Sequence, residues 1–326
     1  MSISAVTNYV SLPTVHRRVR AYFAPVNRVL QMPAIFDPSQ TGQFSLDSPP
    51  APWIDLGWIE NFTRKSTSSI GSLNSGVSSV AQYQVREAVG ATVSLRFKTW
   101  SKLTMALAAG SQHMNLIQSA SGSAANGSGA RGIGAVVVQP GSISTSIVLN
   151  AGDLESFSAG CMVAVDVDYT GQTGFVGSGV SAAYVQGATA VNNDPDYIRR
   201  VSFNVARVSE VSANGLQLAQ PLLAGAPVSG MKVQPISGFV DREGGSFFQE
   251  WSAVFVMPGE QSERVIFHYP RLQAMQGAEE STDTLAAPLE RVSLNASFRA
   301  LPVTDSNDGE QVVCFRSFLP GSATLI

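Results

Sequence analysis

Three histidines, two cysteines and two closely spaced acidic pairs are the side chains through which this chain of 326 residues could do chemistry. His16, His113 and His268 are too few and too dispersed for a metal cage or a catalytic triad, and His268 alternates with Phe267 and Tyr269 as a structural strand residue does. Asp166 and Asp168 stand on one face of an expected strand, and Asp194 and Asp196 form a second pair. Such pairs bind Ca²⁺ or divide acid and base roles, yet neither has a third ligand or a glycine-anchored loop at a fitting spacing. The glycines at 127, 129 and 132 outline a dinucleotide fingerprint but lack the preceding strand and following helix that give it a phosphate to hold. Ser178, between Gly177 and Gly179, lacks the strand-to-helix elbow of a nucleophile. The expectation is a chain that is not an enzyme, with no catalytic residue, metal or cofactor.

Cys161 and Cys314 lie far apart among apolar neighbours, so each reads as a small core residue rather than half of a disulfide. Apolar residues make up 44% of the chain and charged ones only 14%, where about 25% is usual. So little charge implies a surface hidden in contacts with other chains; the alternative is an outer-surface β-protein solvated by Ser, Thr, Gly and Asn. A net charge of −3 and a pI near 5.7 give no basic footprint for gripping DNA or an anionic membrane. The run from His16 to Arg20 reads as the polar face of a strand or an inter-chain contact. Met1 to Val15 lacks a basic region followed by an apolar core, and no run approaches the ~18 apolar residues of a membrane span. The expectation is synthesis and folding in the cytoplasm and no membrane insertion.

The elements alternate between two compositions. Residues 1–49, with Pro13, Pro25, Pro33 and Pro38, read as a mostly extended N-terminal arm that includes a strand-like run from Arg18 to Phe23. Trp53 to Thr63 reads as a strand bent near Gly57, and Ala91 to Phe97 alternates cleanly, with Val93, Leu95 and Phe97 on one face. Between them Arg64 to Ala81, about 18 residues of Ser, Thr, Gly and Asn, exceeds an ordinary turn. It reads as a long protruding hairpin loop, with a disordered surface loop as the alternative, and Gln82 to Glu87 returns as a strand. Ser101 is the expected N-cap of a short helix through Leu103, Ala106 and Leu107, stopped by Gly110.

At Ser119 the chain turns into a Gly/Ser/Ala linker and then a series of short strands, with Asn214-Gly215 marking a tight turn. Near Gln234 the outer pattern resumes: Val254 to Met257, a Pro258-Gly259 turn, Arg264 to Tyr269, a polar linking stretch from Gln273 to Ala287, and a final strand pair, Leu289 to Leu301 with Gln311 to Leu319. The fold class expected is mainly β: a sandwich or barrel-forming domain with one short flanking helix, interrupted by an inserted all-β domain. The boundaries are an arm at 1–49, a discontinuous domain at 50–118 and 236–326, and a small all-β decoration domain at 119–235.

The strand Trp53 to Thr63, the loop Arg64 to Ala81, the strand and helix from Val93 to Gly110, Arg264 to Arg271, and the closing strands Val292 to Ala300 and Val312 to Phe318 together resemble the major tail tube proteins of tailed bacteriophages and the related tubes of injection systems. The likeness covers half to two-thirds of the chain and is one of order and type, without a diagnostic motif. It implies a virion structural protein whose copies form hexameric rings, with sheets joined edge to edge, stacked by self-assembly into a tube for DNA ejection. The partners implied are the chain itself, other tail proteins (tape measure, terminator and baseplate), and DNA passing without sequence-specific binding. An uncharged or acidic wall suits that passage, because a basic lumen would hold the phosphates.

The resemblance further implies an inter-ring contact loop with Arg64, Lys65, Ile70, Leu73 and Val77 as its contact residues. The inserted domain departs from the minimal pattern and suits a non-contractile tail, as an outer decoration or as a carbohydrate-binding module using loops such as Tyr169 to Phe175. The alternatives to a tube subunit are a capsid decoration, tail terminator or baseplate protein, or a cell-envelope or glycan-binding adhesion β-protein.

Overall fold

The computed structural model describes residues 18–26, 32–38, 49–50, 52–75, 80–110, 112–118, 133–166, 204–223, 225–242, 249–259, 262–275, 279–284 and 290–320. In chain order the elements are β1 (Val19–Pro25), β2 (Ile54–Ser75), β3 (Val80–Phe97), α1 (Lys102–Ala109), β4 (Gln112–Ile117), β5 (Val136–Val137), β6 (Ser146–Val148), β7 (Met162–Asp166), β8 (Val205–Ser212), β9 (Gly215–Leu218) and β10 (Lys232–Arg242). There follow β11 (Glu250–Pro258), β12 (Arg264–Ala274), β13 (Glu279–Thr284), β14 (Glu290–Ala300), β15 (Val303–Thr304), β16 (Gln311–Val312) and β17 (Phe315–Leu319). The protein is mainly β, as the alternating patterns require. Its described residues fall into two compact units, the first within 1–26, 33–99 and 250–326, the second within 27–32 and 100–249.

The first unit is a closed barrel. Six antiparallel strands run in the order β14-β3-β2-β1-β11-β12, and Leu272 to Ala274 of β12 pair back onto Phe298 to Ala300 of β14 to shut the ring. Closure removes the central edges that an open sheet would leave. β13 continues along β14, and β17 lies along the first half of β12. Aromatic rings fill the interior: Phe23 of β1 meets Phe298 of β14 at 5.7 Å between centroids, and Phe62 of β2 meets Phe255 of β11 at 4.8 Å. Neither pair belongs to neighbouring strands, so both contacts cross the barrel. Phe23, Phe255 and Phe298 are fully buried, each contributing about 1.5–3 kcal/mol.

Strands β1, β11 and β12 are buried on both faces, which is why their sequences read as near-continuous apolar runs. Phe23 and Phe255 face the interior, while Tyr22, Ala24, Val254, Val256 and Ile266 pack outside it against Phe36 and Trp53. The arm expected over 1–49 is therefore, in its described part, integral to the barrel: β1 is hydrogen-bonded between β2 and β11. Arg20 of β1 grips Asp55 of β2 through both carboxylate oxygens, under the Tyr22 and Trp58 rings. Asp55 also accepts the Gly57 N–H at 2.8 Å, holding a bulge that Gly57 enters at φ +75°.

Other boundaries differ from expectation. Gln273 to Ala287 is not merely a linker, because Glu279–Thr284 is β13. The described parts of β14 and β17 do not pair with each other; both pair with β12, β17 along Arg264 to His268 and β14 along Leu272 to Ala274, and the turn at Asp305 to Gly309 joins the short β15 and β16. The helix clusters with the second unit, and the two compact units change at Thr99/Trp100 and Gln249/Glu250.

The second unit orders its strands β4-β10-β7-β8-β9-β6, with β5 on β10, around Val138, Ile147, Val163, Val208, Leu216 and Val233. Gly215 after the β8–β9 turn is dictated by packing: a Cβ there would stand 1.9 Å from the Ile147 carbonyl oxygen. Ser101 caps α1 in a reciprocal box with Thr104, and Gly110 ends it in the left-handed region.

His268 gives the barrel a pH signature. It is 2% exposed, its Nε2 accepts the Phe36 N–H at 3.4 Å, its Nδ1 faces the Ala253 carbonyl oxygen at 3.3 Å, and Phe315 stacks on it. Burial pulls its pKa down to about 4, with the Ala253 hydrogen bond opposing. The unfolded chain thus takes up a proton below about 6.5 that the folded one refuses until about 4. Stability is full above 6.5, falls by about 3 kcal/mol as pH drops to about 4, and levels below it. Urea titrations followed by tryptophan fluorescence across this range should show that slope, and His268→Gln should flatten it; three of the four tryptophans, Trp53, Trp58 and Trp251, report on this unit.

Candidate assembly surface

The barrel strands β2 and β3 are far longer than the barrel needs. β1 pairs with β2 only through Ile59, and β14 pairs with β3 only as far as Ala91. Beyond those points β2 and β3 continue as a two-stranded ribbon in register from Ser66 opposite Ala91 to Ser75 opposite Val80. At about 3.3 Å per residue the ribbon reaches roughly 30 Å from the barrel rim. Among the described residues it has no third strand on either side. Arg64 to Ala81 is thus not a loop over Arg64 to Ser75 but strand.

The ribbon's base is fixed by its own chain. Arg64 donates from Nε to Tyr269 Oη at 2.9 Å and from a terminal nitrogen to Ser66 Oγ at 3.1 Å, and its guanidinium lies 4.9 Å from the Phe267 ring centroid. Tyr269 is fully buried, and burial, opposed by the Arg64 hydrogen bond, pushes its phenol up to about 12. Burial likewise pushes up the adjoining Cys314 thiol. Just before this anchor, Asn61 adopts φ +52° where the register shifts between Glu60 and Thr63, so a bulge redirects β2 as it leaves the barrel.

Among the described residues the distal part has no such contacts. Lys65 to Ile70 of β2 and Gln84, Arg86, Ala88 and Val89 of β3 are exposed, Ile70 at 57% and Val89 at 42%. Ser66 to Ser75 contains no charge and no proline, and Val80 to Gly90 only Arg86 and Glu87. The lysines and prolines that blunt free strand edges are missing, though register shifts at Ser69/Ile70 and Leu73/Asn74 add twist. A two-stranded ribbon standing alone is marginal in water. β13 and β17 end the barrel's sheet and offer two further edges; β17 carries Phe318, 40% exposed.

Of the expected contact residues, Arg64 is committed to its own barrel, while Lys65 and Ile70 stand exposed on the ribbon. Leu73 occupies a strand position opposite Tyr83, and Val77 lies outside the described residues. The returning strand, with Gln84, Arg86 and Val89, is a surface that the sequence reading did not count; its signal is a long hairpin pattern without a buried face.

Among the described residues no group of three or more His, Cys, Asp or Glu side chains could hold a metal ion. Asp168, the Asp194 and Asp196 pair, the glycines at 127–132, Ser178, the loop from Tyr169 to Phe175 and His16 lie outside the described residues. Cys161 and Cys314 are free thiols. No described helix is long and apolar enough to cross a membrane. No family model matches the chain, and no curated protein matches it.

The anchor and the exposed ribbon separate in a denaturation experiment. Arg64→Ala strips a buried phenol of its donor and removes a cation over Phe267, and should cost the barrel about 2–3 kcal/mol. Lys65→Ala, one residue further out, should change stability by less than about 0.5 kcal/mol. Urea midpoints of the two variants check both.

Proposed function

We propose that the chain is a structural subunit of a bacteriophage tail tube, whose copies form hexameric rings that stack into a channel for DNA. The observation that carries this reading is the ribbon: a pinned, sparsely charged, two-stranded extension with no third strand along its edges among the described residues. A barrel with such an arm suits repetitive assembly, since the ribbon of one copy can lie on a surface of the next, and β13 and β17 offer the lateral edges for ring formation. The low charged fraction supports the same reading, because surfaces covered by neighbouring copies need few charges. The order of strands, long hairpin and helix adds the family resemblance described above. The other tail proteins and the DNA are partners by that resemblance, and the virion is the location that follows from it. The second unit serves as an outer decoration in this reading.

The register specifies a clean variant. Thr67 stands opposite Gly90, so residues 68–89 can be replaced by a tight two-residue turn that leaves the barrel closed. Negative-stain electron microscopy across a concentration series should show rings or tubes for the intact chain and unstacked rings for the shortened one. A monomer for the intact chain at every concentration, with no assembly on a tail initiator complex, points instead to a decoration or adhesion protein.

A further inference from the structure

α1 and β4 bring an amine and a carboxamide together in the second unit. The capping box at Ser101 fixes where the helix starts, Gly110 turns the chain back, and Asn115 then sits mid-strand in β4, paired with Phe239 of β10. The Lys102 Nζ donates to Asn115 Oδ1 at 2.5 Å. Asn115 is 1% exposed, and its Nδ2 is buried with no hydrogen-bond partner among the described residues. An orphaned buried donor of this kind costs about 1–3 kcal/mol, so the arrangement is an expensive one for a purely structural contact.

We propose that Lys102 and Asn115 form an intramolecular isopeptide bond, an autocatalytic cross-link between the start of α1 and the middle of β4. The Nζ lone pair attacks Asn115 Cγ, and the carbonyl π electrons move to Oδ1. One Nζ proton passes to Nδ2, the Cγ–Nδ2 bond breaks, and ammonia leaves as the carbonyl re-forms. An amine and a primary amide become a secondary amide and ammonia, so no oxidant, reductant or co-reactant is needed.

Three features favour the step. Desolvation pulls the Lys102 ammonium down to about 7, so much of it is the neutral nucleophile near neutral pH. Folding holds the two groups together, and effective molarities of about 10⁵–10⁸ M for well-oriented neighbours replace a catalyst. The product loses both the partly buried cation and the orphaned Nδ2 donor, and the released ammonia does not return.

The test is the mass of the folded chain and its tryptic map. With no Lys or Arg between them, residues 99–131 form one tryptic fragment when Lys102 is amidated, because trypsin cannot cut there; an unmodified Lys102 yields 99–102 and 103–131. After a day folded at mildly alkaline pH, the expected result is an intact mass lower by one ammonia. The 99–131 fragment should be uncut at Lys102 and resolve into a branched pair after a second protease cuts between Lys102 and Asn115. Lys102→Arg and Asn115→Ala should each restore the full mass. An unchanged mass, or an ammonia loss in which trypsin still cuts at Lys102, as a succinimide at Asn126-Gly127 or Asn214-Gly215 would leave it, overturns the proposal. Because the wild-type chain supplies the deciding result, a variant that fails to fold does not obscure it.

Discussion

Every strand has two hydrogen-bonding edges, and the barrel covers them for its six members by closing on itself, with β17 and β13 along the parts of β12 and β14 that closure does not reach. The same two strands that help close it then run on past the rim, where, among the described residues, each pairs only with the other. That imbalance is the constraint on which the rest depends: an unpaired backbone edge is stable in water, yet it is also a template for another strand, and natural chains blunt it unless they use it. Here the blunting charges are missing from Ser66 to Ser75. The protein supplies an anchor instead, so the ribbon is held in one direction rather than removed from reach.

The anchor shows how burial is converted into direction. Phe62 and Phe267 pack near the barrel wall, Arg64 lies over Phe267 and reaches the buried Tyr269 hydroxyl, and the bulge at Asn61 turns the strand just before this point. Rigid support at the base and an unsupported distal end are what a docking arm needs. In the proposed assembly a neighbouring copy meets the ordering cost of the distal residues, about 1–2 kcal/mol per backbone residue fixed, and that cost is lower for a ribbon already paired along its length.

Legibility in the sequence followed burial. Val93, Leu95 and Phe97 alternate because only one face of β3 meets the core, and α1 was readable from Ser101 and Gly110, whose roles are local. β2 beyond Arg64 was not readable as a strand, since Ser and Thr occupy both faces of a ribbon that buries neither, and the period-2 signal exists only where one face is dry. β13, with Glu279, Glu280 and Asp283, was lost for the same lack of apolar contrast. β1 was read as an arm because its partner β11 lies more than two hundred residues away, with Arg20 opposite Val256. The role of Arg64 was hidden likewise, Tyr269 being 205 residues on. Local chemistry announces itself in a sequence; long-range pairing does not.

The central claim is that the ribbon is completed by another copy of the chain, and amide hydrogen exchange over residues 66–75 and 84–90 tests it most directly. The account predicts fast exchange of the outward-facing ribbon amides in dilute monomer. Those amides should become strongly protected in concentrated, assembled protein, while the barrel amides of β1 and β11 stay protected throughout. Assembled protein in which the ribbon exchanges as fast as in the monomer would contradict it.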